Sequence, residues 1–301
     1  METVGFPGLW GLKLNIDRVA FGVFGINIYW YGIIIAVGFM LVVLMGLRDS
    51  RKFGLEPDNI IDLVLFATPV AIVASRLFYV AFSWGNFKDN LLEIFNTRNG
   101  GLAIYGAIIG ALLVAYIFAK KKKMDAFNLF DFAAPYLPLA QAIGRWGNFV
   151  NQEAYGTHTD LPWGMTGSSI VNGPVHPTFL YESLWNIGVF FVLIWYRKNK
   201  KLNGEVFFLY MILYGIGRAW IEGLRIDSLM VGSLRISQLL AVLFAVFFGV
   251  VFYLRRKKHD KAAFAEMEIG TSKYGEILKK LEEEASIPEN TQEADVERKE
   301  D

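Results

Sequence analysis

Seven long apolar segments constrain the fold of this chain more than any other feature of its sequence. A helix that crosses a bilayer needs roughly 20 mostly apolar residues, and 54% of the residues are apolar while only 20% are charged. The sequence therefore predicts an all-α fold, a polytopic helical integral membrane protein with seven transmembrane helices. The predicted spans are 28–47, 60–82, 102–118, 127–143, 179–196, 206–221 and 236–254.

The positions of lysine and arginine predict the orientation of these spans. Basic clusters at 48–52, 120–123, 197–201 and 255–258 follow the first, third, fifth and seventh spans. Short loops rich in lysine and arginine stay in the cytoplasm. We therefore expect the N-terminus outside, the C-terminus in the cytoplasm, and the even-numbered spans to end at the outer face.

Three flanking segments complete the predicted organisation. Residues 1–27 are expected to lie along the outer interface as an amphipathic or irregular stretch. Residues 1–258 would form the transmembrane catalytic domain, in which 153–177, rich in glycine, proline, threonine and serine, forms an outer cap. Residues 259–301 are acidic and poor in aromatic side chains, so we expect a cytoplasmic tail that is helical and then disordered.

The rarer residue types exclude several kinds of site. The chain has no cysteine, which excludes disulfides, thiolate metal sites and a cysteine nucleophile. It has only three histidines, so a multi-histidine metal centre is not expected. We expect no metal and no organic cofactor. The lipid bilayer is the expected environment, and nucleic acid is not an expected partner.

A polar segment, 144–156, stands where the fourth span leaves the membrane. Its arginine, asparagines and glutamate are costly to place near hydrocarbon and favour a functional site. The planar guanidinium of Arg145 suits a phosphate group, and Asn148 and Asn151 can bind phosphate oxygens or the backbone. The alternative is a helix-ending motif in which an arginine–glutamate pair only holds the outer loop.

A second polar face is predicted where the sixth span ends. Tyr214, Arg218, Glu222 and Arg225 follow one another at steps of four, four and three residues, which places them on one face of a helix. Arg218 lies within or at the edge of an apolar span, so it should point into the bundle. An Arg218–Glu222 pair that binds nothing is the alternative. Arginines at two separate outer exits favour an anion between them.

The start of the third span is a third candidate. Asn99, Gly100 and Gly101 precede it, and glycines allow backbone N–H groups to approach a ligand closely. A plain turn explains the same residues equally well. Tyr105 follows within the first turn of the span.

Isolated polar residues also lie near the outer face. His176 precedes the fifth span and is a candidate acid or base near neutral pH, with a structural role as the alternative. Arg76 lies near the outer end of the second span. Tyr31 begins the first span, where an aromatic-belt role is the alternative. All these segments converge on one face, and their ionisable groups can line one cavity.

These motifs together resemble the prolipoprotein diacylglyceryl transferases of bacterial plasma membranes. The resemblance extends from Tyr31 to about Lys258. Its most specific part is the sequence Gly-Arg-Trp-Gly-Asn-Phe-Val-Asn-Gln-Glu at 144–153. Further support comes from His176-Pro177 with Tyr181-Glu182, and from Tyr214-Gly215 with Arg218, Glu222 and Arg225.

The resemblance implies an activity and a location. The diacylglyceryl group of phosphatidylglycerol would move to the lipobox cysteine of a prelipoprotein, releasing glycerol phosphate, at the outer face of the bacterial plasma membrane. The thiol belongs to the substrate, which agrees with the absence of cysteine here. The candidate catalytic residues are Arg145, Arg218, Tyr105 and Glu153. The candidate substrate-binding residues are Tyr31, Arg76, Asn99, Gly100, Gly101, Asn148, Asn151, His176, Tyr214, Glu222 and Arg225.

The chain departs from the family pattern at one position. Many members carry a histidine followed by two glycines where this chain has Tyr105, Gly106 and Ala107. A phenol or another group would then have to replace a histidine base. A phospholipid transporter or flippase, which would grip a headgroup with the same arginines without transfer, is the rival function.

Overall fold

A computed structural model describes residues 2–97, 100–170, 173–226, 230–231 and 234–285, and these residues are mostly helical. The helices in these ranges are α1 (Trp30–Ser50), α2 (Pro57–Phe82), α3 (Ile104–Lys121), α4 (Ala126–Ala133), α5 (Tyr136–Asn151), α6 (Thr178–Arg197), α7 (Glu205–Glu222) and α8 (Ile236–Ala285).

Five helical segments of the described chain are long and apolar enough to cross a membrane. They match the first, second, third, fifth and seventh predicted spans. The membrane-protein character is thus supported by length and composition, while the total of seven spans stays a prediction. The five segments are Trp30–Phe53, Pro57–Phe82, Ile104–Lys121, Thr178–Arg197 and Ile236–Ala265.

The fourth predicted span is not one helix. The structure divides it into α4 and α5, with a turn at Ala134 and Pro135. Proline has no N–H to donate to the preceding helical turn, so a continuous helix cannot pass through this position without losing a hydrogen bond. The second piece, α5, continues eight residues beyond the predicted end at 143 and finishes at Asn151. Arg145, Asn148 and Asn151 therefore lie on a helix.

The N-terminal region is a further correction, because it forms strands rather than an amphipathic or irregular stretch. Strands β1 (Glu2–Phe6) and β2 (Leu12–Ile16) form an antiparallel hairpin, and β3 (Val19–Val23) and β4 (Ile26–Tyr29) form another. The fold is thus not purely α. Val4 of β1 is fully buried in a cluster with Phe149 and Met165, because successive strand residues face opposite sides.

Small residues allow the helices around the site to pack closely. A Cβ atom on Gly106 of α3 would collide with the Ala74 carbonyl of α2. A Cβ atom on Gly147 of α5 would lie 2.6 Å from the ring of Tyr31 on α1. Close approach of this kind is typical of helices that pack in membranes. Helix α2 packs against α3. Helix α5 packs against both α1 and α6, and α6 also packs against α7.

The two ends of the helix bundle differ in their chemistry. We call the end where α5 and α7 finish and α6 begins the cap end, and the opposite end the basic end. At the basic end, buried Asp131 of α4 accepts hydrogen bonds from the backbone N–H groups of Gly204 and Phe207 (2.8 and 2.9 Å) and from Lys200 Nζ (3.0 Å). Since the first N–H groups of a helix lack partners within it, Asp131 stabilises the start of α7.

The predicted cap, 153–177, is attached to the body of the protein. Strand β5 (Thr166–Gly167) pairs with β1. The Thr157 N–H donates to the Leu224 carbonyl at 2.8 Å, and the Gly156 N–H donates to the His176 carbonyl at 2.9 Å. The cap therefore connects the end of α7 with the start of α6.

The described chain forms two compact units, Met1–Val250 and Val251–Asp301. All the candidate site residues belong to the first unit. The predicted domain boundary at 258 and the cytoplasmic placement of the tail stay predictions. Helix α8 continues to Ala285.

Candidate active site

Two arginines from different helices meet at one carboxylate at the cap end. Arg145 Nη2 on α5 lies 2.6 Å from Glu182 Oε2 on α6. Arg218 Nη1 on α7 lies 3.9 Å from Glu182 Oε1. Glu182 is only 6% exposed. The sequence expectation that Arg145 and Arg218 approach each other therefore agrees with the geometry, and α6 provides the group between them.

A third arginine and a second carboxylate complete this group, which we call the arginine cluster: Arg145, Arg218, Arg225, Glu182 and Glu222. Arg225 Nη1 lies 3.5 Å from Glu182 Oε1, and Arg218 Nη2 lies 2.7 Å from Glu222 Oε2. Glu222 is 2% exposed. These five side chains bring three guanidinium groups together at two buried carboxylates. Guanidinium groups from different helices at one place are suited to an anion.

Hydrogen bonds extend the cluster along the end of α5. Arg145 Nη1 donates to Asn148 Oδ1 at 3.2 Å, and Asn148 Nδ2 donates to Glu153 Oε1 at 2.8 Å. Asn151 Nδ2 donates to the same Glu153 oxygen at 3.4 Å. Helix α5 ends at Asn151, and the next residue, Gln152, adopts the left-handed conformation with φ of 52°. The segment therefore ends a helix and also joins Arg145 to Glu153.

A cavity of about 580 Å³ opens beside this chain of hydrogen bonds. Tyr31 of α1, Asn151 and Glu153 line it, together with residues of β4. Glu153 is exposed to this space. The structure thus brings Tyr31 and Glu153, which are distant in sequence, to one opening next to the arginine cluster.

Two tyrosines, Tyr214 of α7 and Tyr105 of α3, are further candidates near the cluster. Tyr214 lies one turn before Arg218 on α7, within electrostatic range of Arg218, Arg145, Glu182 and Tyr105. Tyr105 is 64% exposed, and its ring lies 6.3 Å from that of Phe78. The phenol of Tyr105 is therefore accessible, and it reaches the same region as Tyr214.

Arg76 has a different role from the one its sequence position indicated. Its Nε, Nη1 and Nη2 atoms donate five hydrogen bonds of 2.6–3.0 Å to backbone carbonyls between residues 93 and 101. A guanidinium has five N–H donors, so none remains for a substrate. The structure therefore shows Arg76 holding the segment before α3 against α2, and substrate binding by Arg76 stays a prediction that these contacts do not support.

Gly100 and Gly101 belong to the segment that Arg76 holds. Their φ values of 87° and 77° require the left-handed region, which glycine adopts without strain. Both carbonyls accept hydrogen bonds from Arg76 Nη1, and the Gly100 N–H donates to the Thr97 carbonyl at 3.2 Å. The turn explanation therefore fits these glycines. Asn99 lies outside the described residues.

His176 lies at the rim of the cap end, just before α6. Its Nδ1 atom is 3.2 Å from the Tyr181 hydroxyl. Burial lowers the pKa of His176 below its ordinary value of 6.5, because desolvation disfavours the charged ring. At neutral pH the ring is uncharged, so His176 is not one of the cationic groups of the cluster.

Glu182 is the residue that the sequence reasoning underrated. It appeared only as part of a motif and not among the candidate site residues, yet it contacts Arg145, Arg218 and Arg225. A signal was present in the sequence. A glutamate in the second turn of an otherwise apolar helix is costly unless cations surround it.

Comparison with known proteins identifies the family of this chain. The family described as prolipoprotein diacylglyceryl transferase matches residues 18–255. A relative from Clostridioides difficile is 45% identical over 251 residues, which cover 83% of this chain and 100% of the relative. A relative from Finegoldia magna is 46% identical over 244 residues, with 81% and 97% covered. One from Enterococcus faecalis is 46% identical over 255 residues, with 81% and 92% covered.

All three relatives are named phosphatidylglycerol–prolipoprotein diacylglyceryl transferase. The family match covers the arginine cluster and every candidate site residue. The resemblance carried by the three sequence motifs is thus confirmed, and the chain belongs to the prolipoprotein diacylglyceryl transferase family.

Proposed function

We propose that this chain transfers the diacylglyceryl group of phosphatidylglycerol to the lipobox cysteine thiol of prelipoproteins. The substrate sulfur forms a bond to the glycerol carbon of the diacylglyceryl group. The bond between that carbon and the phosphate oxygen breaks, and glycerol phosphate leaves with the oxygen. The thiol proton passes to a base. The observation that carries the proposal is the meeting of Arg145, Arg218 and Arg225 at the buried Glu182, in the family whose members bear this name.

The charge on the phosphate explains why arginines dominate the site. The phosphodiester carries one negative charge, and the departing monoester gains the charge that the thiolate brings. Donors already oriented toward this developing charge stabilise the transition state more than the ground state. Arg145 and Arg218 are the proposed catalytic donors, with Arg225 and Glu222 in support. Arginine suits this role because its planar fork can bind two phosphate oxygens at once.

The base has less to contribute than the arginines. A cysteine thiol with a pKa of about 8.5 is already a few per cent thiolate at neutral pH. Glu153 is the proposed proton acceptor, and the Tyr105 phenol is proposed to relay a proton by accepting one and passing its own to solvent; both are exposed near the cluster. The Tyr105 hydroxyl has no hydrogen-bond partner among the residues that the structure describes. We therefore expect this phenol to assist the reaction without being indispensable.

The remaining site residues are proposed to position the two substrates. Asn148 and Asn151 orient Arg145 and Glu153 through the hydrogen bonds described above. Tyr214 faces the phosphate site, and Tyr31 borders the opening. The glycines at 100 and 101 shape the segment before α3, and His176 lies at the rim of the cap end.

The proposed location is the bacterial plasma membrane, with the cap end at the outer face. Support comes from the basic clusters that follow α1, α3 and α6 at the opposite end. Phosphatidylglycerol and the signal-peptide region of a prelipoprotein would both reach the site from the membrane. Seven spans, an outer N-terminus and a cytoplasmic C-terminus belong to this proposal.

A reconstituted assay tests the function directly. Purified protein is mixed with phosphatidylglycerol and a lipobox peptide that contains either cysteine or serine at the acceptor position. We expect glycerol phosphate and a thioether-linked diacylglyceryl peptide only with cysteine. Lipid binding without product from either peptide would support the flippase and contradict the proposal.

A further inference from the structure

Three side chains at the cap end form a hydrogen-bonded chain beside the arginine cluster. The Trp163 Nε1–H, in the cap, lies 2.7 Å from the Tyr181 hydroxyl of α6. That hydroxyl lies 3.2 Å from Nδ1 of His176. We call Trp163, Tyr181 and His176 the relay. None of its members carries a full charge at neutral pH.

The chemistry of tryptophan gives the relay a direction. An indole N–H can only donate, so the Tyr181 oxygen accepts from Trp163. The Tyr181 proton then needs an acceptor, and Nδ1 of His176 is the one within reach among the described residues. A neutral imidazole that accepts at Nδ1 carries its proton at Nε2. The tautomer in which Tyr181 donates to Nδ1 therefore leaves His176 as a neutral ring with an Nε2–H donor.

Aromatic rings continue from Tyr181, whose ring centroid lies 6.0 Å from that of His176. The rings of Tyr181 and Trp220 lie 6.2 Å apart, and those of Trp185 and Trp220 lie 6.1 Å apart. Trp163 and Trp220 are each 42% exposed. We call Trp163, Tyr181, Trp185 and Trp220 the aromatic ledge. It is an apolar surface with exposed ring faces at the rim of the cap end.

The ledge adjoins the arginine cluster along the chain. Tyr181 immediately precedes Glu182 on α6. The Cβ atom of His176 packs against Gly156, and Gly156 pairs with Arg225 in an isolated β-bridge. The ledge and the arginine cluster therefore belong to neighbouring parts of the cap end. The neutral His176 Nε2–H suits an uncharged hydrogen-bond acceptor. A phosphate would bind more strongly to the nearby arginines.

We propose that the aromatic ledge binds the extended apolar segment next to the acceptor cysteine, and that His176 Nε2–H donates to one of its peptide carbonyls. The inference rests on the proposed function, which supplies a peptide substrate. Aromatic faces suit apolar peptide side chains. A peptide that leaves water also needs a partner for each backbone polar group. Trp163 and Tyr181 act as positioning residues that hold the histidine tautomer.

The tautomer can be measured without any activity assay. The chain has only three histidines, so ¹⁵N-histidine labelling of the full protein in nanodiscs gives few ring signals. The His176→Gln spectrum assigns the signals of His176. We expect Nε2 protonated and Nδ1 unprotonated in the parent, and a mixture of tautomers in Tyr181→Phe. A parent signal with the proton on Nδ1 would overturn the relay.

Kinetics with a cysteine lipobox peptide and phosphatidylglycerol then test the docking. Loss of one neutral hydrogen bond should raise KM for the peptide about five-fold in His176→Ala and Tyr181→Phe. We expect kcat and KM for phosphatidylglycerol to stay within two-fold. His176→Gln, whose amide N–H can replace Nε2–H, should recover most of the peptide KM. Trp163→Phe should raise it in the same direction.

A matched control and the parent protein separate the possible failures. Tyr155→Phe removes a cap hydroxyl that contacts the Ser169 carbonyl instead of the relay, and should leave peptide KM unchanged. If the parent forms no product, the proposed function itself fails. If the parent is active but His176→Ala and Trp163→Phe keep the parental peptide KM, or raise only the lipid KM, the docking proposal alone is wrong.

Discussion

Replacing Arg218 by glutamine should cause two separable losses, one in stability and one in transfer. The guanidinium contacts the carboxylate of Glu222, which is 2% exposed, at 2.7 Å. Breaking a buried ion pair costs about 3–5 kcal/mol. Because the Arg218 side chain is 28% exposed, solvent reduces this cost, and we expect the lower limit, about 3 kcal/mol.

The catalytic loss has a different origin. One preorganised donor to a developing oxyanion contributes about 10²–10³-fold to kcat, and Arg218 is proposed to be such a donor. The double variant Arg218→Gln/Glu222→Gln replaces the ion pair by two neutral amides, and Glu182, which loses the longer contact with Arg218, keeps Arg145 and Arg225. We expect the double variant to recover most of the melting temperature and none of the transfer.

Two further variants complete this experiment. Glu222→Gln alone keeps the Arg218 guanidinium, so it should transfer more than either variant that lacks Arg218. Arg51→Gln removes an exposed arginine at the basic end and should change neither property. Thermal unfolding in detergent and the release of glycerol phosphate are measured on the same samples. Near-parental transfer by Arg218→Gln, or recovered transfer in the double variant, would refute the phosphate-binding role.

Four other outcomes are expected. Tyr105→Phe should slow transfer by at most about ten-fold, which is below the roughly 10²–10⁴-fold contribution of a full general base; complete loss would make this phenol essential. Arg76→Gln should make the backbone near 93–101 more accessible to protease, since five hydrogen bonds to it are weakened or lost; unchanged cleavage would contradict this. The ¹⁵N titration of His176 should have its midpoint below pH 6.5. Because the pKa of His176 is lower in the folded chain than in the unfolded chain, the unfolded chain takes up more protons as the pH falls through 6.5. The contribution of His176 to the free energy of unfolding therefore decreases in this range. Glu182→Gln should strengthen product inhibition by glycerol phosphate, because the arginine cluster gains one net positive charge; an unchanged inhibition constant would exclude this effect.

The sequence predicted the helices better than it predicted their interruptions. Apolar runs of sufficient length identify α1, α2, α3, α6 and α8, because burial in lipid demands such runs. The break at Pro135 could not be predicted in the same way, because a proline can either remain within a helix, as Pro69 does in α2, or divide it. The N-terminal strands are stabilised by pairing and by burial of Val4 against Phe149, and these contacts are distant in sequence.

Prediction from the sequence has a similar limit for the arginines of the candidate site. Arg76 and Arg145 both occupy the cap end of a helix, and the residue type alone gives them the same capacity for binding an anion. Their partners differ: Arg76 faces backbone carbonyls, whereas Arg145 faces Glu182 and Asn148. The backbone path of the segment before α3 decides whether carbonyl groups surround Arg76. That path depends on glycines with positive φ. The motif around Arg145 was informative because its polar partners, Asn148 and Glu153, follow closely in the sequence.

The two buried carboxylates explain how three arginines can share a site and still release product. Guanidinium groups close together in a medium of low dielectric repel one another strongly, so without Glu182 and Glu222 they would separate or lose their orientation. In the proposed mechanism, both carboxylates offset part of the positive charge of the arginines. The cluster would then attract the singly charged phosphodiester without holding the more negative monoester too tightly for release. A cluster of arginines alone would bind the product more tightly than the substrate, and turnover would then be limited by its release.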